Sequence, residues 1–252
     1  MMYIPDWTLF NTCTALAITV GSALLIVREL FPNTRLRYSK FSTKLYRKES
    51  TISSQFGMLL AYVPSLMITG VFVLVSFKTG SRLKLISCLS FVHYAKRVLE
   101  VLFVHRYSGH AKLMDNYVIS ISYALFACFL YVFTAQVPTT HQTLSWLGIL
   151  LFIVGESMNL YHHLILRHLR KPGQKDYKIP NGAFFDYIWC PHYTCEIVSF
   201  IGLVLVTQHV LILLLQIGSA GYLVVRAYNT KQWYLQKFGS VPRRACLVPC
   251  VF

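Results

Sequence analysis

Carboxylates are scarce in this chain: nine Asp and Glu stand against 24 Lys and Arg among 252 residues. Charged residues of both signs make up only 13%, while 55% are hydrophobic and the mean hydropathy is +0.51. That balance excludes an ordinary soluble domain and fits a polytopic membrane protein. The net charge of +15 does not mark a nucleic-acid binder. The basic residues lie between apolar runs and never interleave with aromatics on one basic domain, so their natural partner is a membrane surface. Neither nucleic acid nor an obligate protein partner is expected.

Other absences narrow the chemistry. No CxxC pair exists among the seven cysteines, and Cys13, Cys88 and Cys128 sit inside apolar runs. Cys190, His192 and Cys195 lack a fourth ligand at suitable spacing, so no metal is expected. Cys250 stands third from the end where a prenylation box needs it fourth. There is no glycosylation sequon, and no basic cluster precedes the first apolar run, which is expected to be a retained span and not a cleaved signal. GxGxxG, P-loop and GxSxG patterns are all missing. A soluble Rossmann domain is therefore excluded, and any nucleotide has to be held within helices.

What is present is a series of apolar runs of membrane-crossing length. Spans are expected at about Thr8–Val27, Phe56–Phe77 (with a kink at Pro64), Leu83–Val104, Tyr117–Thr134 and Leu144–Leu166. The block Tyr187–Val225 is too long for one span, and Gln208-His209 divides it into a sixth and a seventh. Between the first two spans, Arg28–Ser50 reads as an interfacial segment in which Tyr38, Phe41, Leu45 and Tyr46 dip into headgroups while the cations stay wet. Turns are signalled at Lys171-Pro172-Gly173 and at Ile179-Pro180-Asn181-Gly182, and a basic tail runs from Arg226 to Phe252. Nineteen Lys and Arg fall on one side of this arrangement and only Lys78, Arg82 and Lys84 on the other. The positive-inside rule then puts the N-terminus outside, or luminal, and the C-terminus in the cytosol. The expected fold class is all-α, a polytopic membrane protein with seven transmembrane helices forming one domain over residues 1–252.

Polar groups inside apolar runs are costly and usually face a bundle interior or a wet cavity. Four groups stand out. On the fifth span Asn159, His163, Arg167 and Arg170 recur at helical spacing. Arg forks suit phosphate geometry, which points to a phosphate-bearing cofactor at the membrane–cytosol boundary; anchoring at lipid headgroups is the other reading. The third span carries His93, Tyr94, Arg97 and Glu100, where a buried Tyr hydroxyl can stabilise a developing oxyanion and Arg97–Glu100 can equally be a structural ion pair. Cys190-Pro191-His192-Tyr193-Thr194-Cys195-Glu196 opens the sixth span; Glu196 can bond a carboxamide, pair with an arginine, or simply favour the helix N-terminus. Last, Arg226 to Leu235 sets Trp233 and Tyr234 beside cations, either to wrap a cofactor or as an aromatic belt.

These pieces, in this order, resemble the steroid 5α-reductase superfamily, which includes the very-long-chain trans-2-enoyl-CoA reductases. The residues that carry the resemblance are His93-Tyr94-Ala95-Lys96-Arg97 running on to Leu102-Phe103-Val104-His105-Arg106, then Asn159, His163, Arg167, Arg170, Lys171 and Pro172. Tyr177, Ile179, Pro180 and Gly182 follow, then Cys190-Pro191, Tyr193 and Glu196, and finally Trp233-Tyr234-Leu235 with Pro249. The specific part covers about 90–252; upstream only the hydrophobic pattern and Pro64-Ser65 agree.

The resemblance implies a multi-pass reductase of the endoplasmic reticulum membrane. It implies NADPH as cofactor, and reduction of a C=C conjugated to a carbonyl in a lipid. The lipid is a 3-oxo-Δ4 steroid or, as the alternative, a trans-2-enoyl-CoA of fatty-acid elongation. Tyr94 matches the tyrosine that hydrogen-bonds the carbonyl oxygen. Arg97, Asn159, Arg170, Glu196 and Tyr234 match cofactor-contacting positions; Arg106, Arg167, His163 and His192 go with them. Tyr62 stands at the substrate-binding position that is Glu in steroid reductases, and His192 where Asn is common. Outside the reductase class, a membrane methyltransferase or an inactive scaffold would be the alternatives.

Overall fold

The computed structural model describes residues 2–41, 50–107, 109–138, 144–170, 174 and 176–248. Among them are seven α-helices: α1 Leu9–Leu30, α2 Ser54–Ser76, α3 Ser81–Leu99, α4 Leu113–Gln136, α5 Ser145–His168, α6 Pro191–Thr207 and α7 Val210–Phe238. Five of these, α1, α2, α4, α5 and α7, are long and apolar enough to cross a membrane. Exposed side chains such as Leu16 and Leu24 on α1 and Val71 and Leu74 on α2 give these helices apolar outer faces. The chain is a multi-pass membrane protein. Helix α3 is too polar to count with the five, and α6, at 17 residues, is shorter. Part of the anticipated interfacial segment (42–49), the Lys171-Pro172-Gly173 turn and the end of the tail from Pro249 lie outside the described residues.

The chain forms two compact units. The first comprises Leu36–Ser145 with Met1–Pro5 and Leu205–Ile212. Its centre is the packing of α2, α3 and α4 on one another. Ser53 caps α2 by accepting from the Phe56 N–H at 3.2 Å, a contact worth about 1 kcal/mol. The same serine ends a short strand, β1 Thr51–Ser53, which pairs antiparallel with β2 His110–Lys112. Helix α2 continues through Pro64. After Leu99 the chain widens into a π-helical turn, Glu100–Val104, closed by the His105 N–H donating to the Glu100 carbonyl at 2.8 Å. Such turns are uncommon and recur at functional sites.

The anticipated interfacial segment is anchored to protein where it is described. The Arg37 N–H donates to Asp115 Oδ2 at 2.8 Å, and Leu36 and Phe41 are buried, so Phe41 packs inside instead of dipping into headgroups. At the break between α6 and α7, Gln208 takes a left-handed φ of 56°, and its carbonyl accepts from the Tyr3 N–H at 2.7 Å.

The second unit comprises Asp6–Arg35, Trp146–Val204 and Leu213–Phe252. Helices α5 and α6 touch backbone to backbone at two glycines. A Cβ on Gly202 would fall 2.6 Å from the Phe152 nitrogen, and one on Gly155 2.7 Å from the Cys195 carbonyl oxygen. Helices α1 and α7 also approach at a glycine, where Gly221 receives the Ile26 side chain. Helix α7 runs without interruption to Phe238, so Arg226–Leu235 is its last turns and not the start of a tail. The true tail returns as an extended stretch: the Trp189 N–H donates to the Ala245 carbonyl at 2.9 Å and the Cys190 N–H to that of Cys246 at 3.1 Å. Trp189, Cys190, Ala227, Tyr234, Cys246 and Leu247 make the core of this end.

Candidate functional site

Two polar clusters hold the candidate residues, one in each unit. In the first unit, Tyr62 on α2 and Tyr94 on α3 are both buried in one core with Val101 and Ala127. The helical spacing read from the sequence delivers Arg97 one turn beyond Tyr94. Its Nη2 donates to the Tyr62 hydroxyl at 2.5 Å, and its Nη1 meets Glu100 Oε2 at 2.6 Å. The guanidinium also lies 4.8 Å from the Tyr62 ring centroid. The ion pair with Glu100 that the sequence offered is present, and Arg97 is in addition a donor to Tyr62.

Glu100 is shut off from solvent and gathers a second cation, Lys96 Nζ at 3.3 Å, with His105 Nε2 at 3.9 Å. A buried carboxylate needs such company to stay ionised. The Tyr94 hydroxyl donates to the Tyr123 carbonyl at 3.0 Å, and the Tyr123 ring stacks on Tyr62 at 5.1 Å. Burial pushes the Tyr107 hydroxyl well above its ordinary pKa. Arg106 follows the π turn and is half-buried. Tyr107 and Tyr123 escaped the sequence reading; tyrosines near membrane ends are ordinary, and only a hydroxyl placed amid an apolar run hinted at Tyr123.

In the second unit, Asn159 and His163 lie one turn apart on α5, both buried. Asn159 Nδ2 donates to the His192 carbonyl at 2.8 Å, and the His163 and His192 rings stand 5.4 Å apart. The close α5–α6 contact at Gly155 brings these residues within reach. Arg167 is half-buried in the last turn of α5. Arg170 was expected on the same helical face; the helix ends at His168, and Arg170 instead lays its guanidinium over the Tyr177 ring at 4.9 Å. Tyr177 in turn meets Trp233 edge-on at 4.8 Å, and Lys237 Nζ lies 5.3 Å from the Trp233 ring.

Tyr234 is buried and stacks on Trp189 at 5.1 Å, while Arg244 covers Trp189 and donates to the Pro180 carbonyl at 2.6 Å. Glu196 falls in the second turn of α6, beyond the reach of the helix-end field, and makes no ion pair among the described residues. Trp189, Tyr177 and Arg244 carried no assigned role in the sequence reading; their proximity depends on the returning tail, which no local pattern announces.

The second cluster offers guanidinium forks, a carboxamide and flat aromatic faces. The Trp189 indole N–H and Thr230 hydroxyl are buried without a hydrogen-bond partner among the described residues. That donor set fits a dinucleotide, whose phosphates take forks and whose rings take aromatic faces. The first cluster offers hydroxyl donors in apolar walls, fit for the carbonyl end of a lipid.

A family model described as 3-oxo-5-alpha-steroid 4-dehydrogenase matches residues 111–252. The chain is 32% identical over 163 residues to a very-long-chain enoyl-CoA reductase of Dictyostelium discoideum, across 63% of this chain and 54% of that protein. It is 37% identical over 107 residues to the 3-oxo-5-alpha-steroid 4-dehydrogenase 2 of Homo sapiens, 42% of each. With the 3-oxo-5-alpha-steroid 4-dehydrogenase 1 of Rattus norvegicus it shares 30% over 168 residues, 64% of each. The chain spans about half the length of the curated relatives it matches. The family match covers more than half of the 252 residues, and the chain belongs to the 3-oxo-5-alpha-steroid 4-dehydrogenase family.

Proposed function

We propose that the protein is an NADPH-dependent reductase of a C=C conjugated to a carbonyl in a lipid, with a 3-oxo-Δ4 steroid as the first substrate to test. The observation that carries the reading is the buried Tyr94, Tyr62, Arg97 and Glu100 cluster in a chain of this family. Bound NADPH would supply the hydride for the β-carbon, and a proton from solvent at the α-carbon would complete the reduction. The Tyr94 hydroxyl donates to the carbonyl oxygen as negative charge gathers there, exchanging its Tyr123 acceptor for a stronger one. Arg97 holds Tyr62 in place beside it, and Glu100 orients Arg97. In the second unit Arg167, Arg170 and Asn159 hold phosphates and a carboxamide, with His163, His192, Glu196 and Tyr234 lining the same cradle.

In this reading the chain crosses the endoplasmic reticulum membrane seven times, and the positive-inside count supports a luminal N-terminus and a cytosolic C-terminus. A trans-2-enoyl-CoA is the second substrate reading. Two observations favour it: Tyr62 replaces the steroid-binding Glu, and a relative bears the enoyl-CoA reductase name.

The deciding experiment is single-turnover oxidation of NADPH by purified protein in detergent, offered a 3-oxo-Δ4 steroid and a long-chain trans-2-enoyl-CoA in parallel. Oxidation with one of them establishes the reaction and chooses the substrate. Folded protein that binds no NADPH would end the reductase reading.

A further inference from the structure

Three tyrosines share the first unit's core, and the hydroxyls of two of them are hydrogen-bonded. The Tyr94 hydroxyl donates to the Tyr123 carbonyl at 3.0 Å, and that of Tyr62 accepts from Arg97 at 2.5 Å. The third is Tyr107, whose oxygen is out of contact with solvent and has no hydrogen-bond partner among the described residues. Its ring packs against the core of Tyr62, Tyr94, Val101 and Ala127, and stands edge-on to His105 at 6.1 Å. We infer that Tyr107 is a second donor to the carbonyl oxygen of the lipid, a specificity residue of the site that begins with Tyr94. This deepens the reductase reading and rests on it.

Burial of a hydroxyl without a partner works against folding, and each such group in a native protein asks for an explanation where it stands. An incoming acceptor supplies one. A ketone or thioester oxygen only accepts, and of these three hydroxyls Tyr107 is the one with no hydrogen-bond partner among the described residues. The hydrocarbon attached to that oxygen suits the apolar members of the same core, Val101 and Ala127. Burial raises the Tyr107 pKa, with Tyr62 and Glu100 adding to the effect and Arg97 opposing it, so the hydroxyl keeps a proton to donate. The π turn is what puts it there. The extra residue in Glu100–Val104 turns the chain off the α3 path, and the His105 N–H closes on Glu100 just before Tyr107.

The test compares wild type with Tyr107→Phe, purified in detergent, using a 3-oxo-Δ4 steroid and a trans-2-enoyl thioester, each carbon-13 labelled at the carbonyl. Two quantities are read: the carbonyl stretching frequency of the bound ligand, and the single-turnover rate of NADPH oxidation. The expected result is a stretch shifted to higher frequency in Tyr107→Phe, with a rate lower by about 100-fold, the scale for losing one oxyanion donor. The melting temperature should stay equal or rise, because the variant removes only an unsatisfied group. A fall in melting temperature would assign Tyr107 to the fold and overturn the inference.

Unchanged stretch and rate in a wild type that does turn over would overturn it too and leave the reductase reading standing. A stretch that responds to Tyr107→Phe in a protein that oxidises no NADPH would keep Tyr107 as the carbonyl donor and remove the reductase reading. A wild type that binds neither ligand overturns both.

Discussion

Glu29 at the end of α1 and Arg226 on α7 form an ion pair at 2.7 Å with 0% and 1% of their side chains exposed. Asn229 Nδ2 donates to both the carbonyl and Oε1 of Glu29, at 2.8 and 3.2 Å, so the carboxylate is held from two sides. One of only nine acidic residues thus ties the first span to the last. Removing one partner of a buried pair leaves a charge stranded and costs about 3–5 kcal/mol. Glu29→Ala is therefore expected to lower the midpoint of thermal unfolding in detergent sharply. The double variant Glu29→Leu/Arg226→Met should recover most of the loss, because no lone charge remains. A single variant as stable as wild type would show the pair to be dispensable.

The Tyr94 hydroxyl is expected to matter in the transition state more than in binding. Tyr94→Phe should lower the single-turnover rate by about 100-fold or more while NADPH affinity stays within about twofold. Interactions made mainly in the transition state have that signature. Rapid-mixing oxidation of NADPH and a separate fluorescence titration check the two halves. Unchanged turnover would remove Tyr94 from the chemistry.

How far the sequence already showed this follows from the kind of signal each feature leaves. Apolar run length and the polar pair Gln208-His209 placed the helices, because the bilayer sets the length and two polar residues interrupt an otherwise apolar block. Helical spacing correctly set Arg97 against Glu100 and Asn159 beside His163, since one turn is a local relation. The same spacing failed for Arg170, because the helix ends two residues before it. Helix α7 was cut short at Val225 on charge alone, although neither Gly nor Pro occurs between Arg226 and Phe238 to stop it. The Glu29 pairing leaves no trace in the sequence, because its partner lies 197 residues away, a distance at which spacing says nothing. Tyr107 and Trp189 were silent for the same reason: their surroundings are made by a π turn and a returning tail.

Arg170 separates cofactor binding from headgroup anchoring. Its guanidinium lies flat over Tyr177, which fixes the fork and leaves its donors in one plane. Arg170→Ala is expected to weaken NADPH binding by about tenfold at low salt, with the difference shrinking as salt screens the phosphate contact. Arg170→Lys should recover the charge and not the planar fork, giving an intermediate affinity. Titration of NADPH at two ionic strengths checks this. Equal affinity in all three proteins would leave Arg170 as a headgroup anchor.

His209, between α6 and α7, gives the fold a pH dependence. Burial lowers its pKa from 6.5 to about 4, and its Nδ1 accepts from the Leu211 N–H at 3.1 Å, a bond only the neutral ring can make. The folded value lies below the unfolded one, so the unfolded chain binds the extra proton. The stability that this neutral ring contributes is complete above pH 6.5, falls as the pH drops from 6.5 towards 4, and is gone below the folded value. His209→Asn keeps a short acceptor for Leu211 and removes the titration. Melting curves in detergent at pH 7 and at about pH 4.5 should therefore converge in the variant and separate in wild type. Equal separation in both proteins would show that another group carries the acid sensitivity.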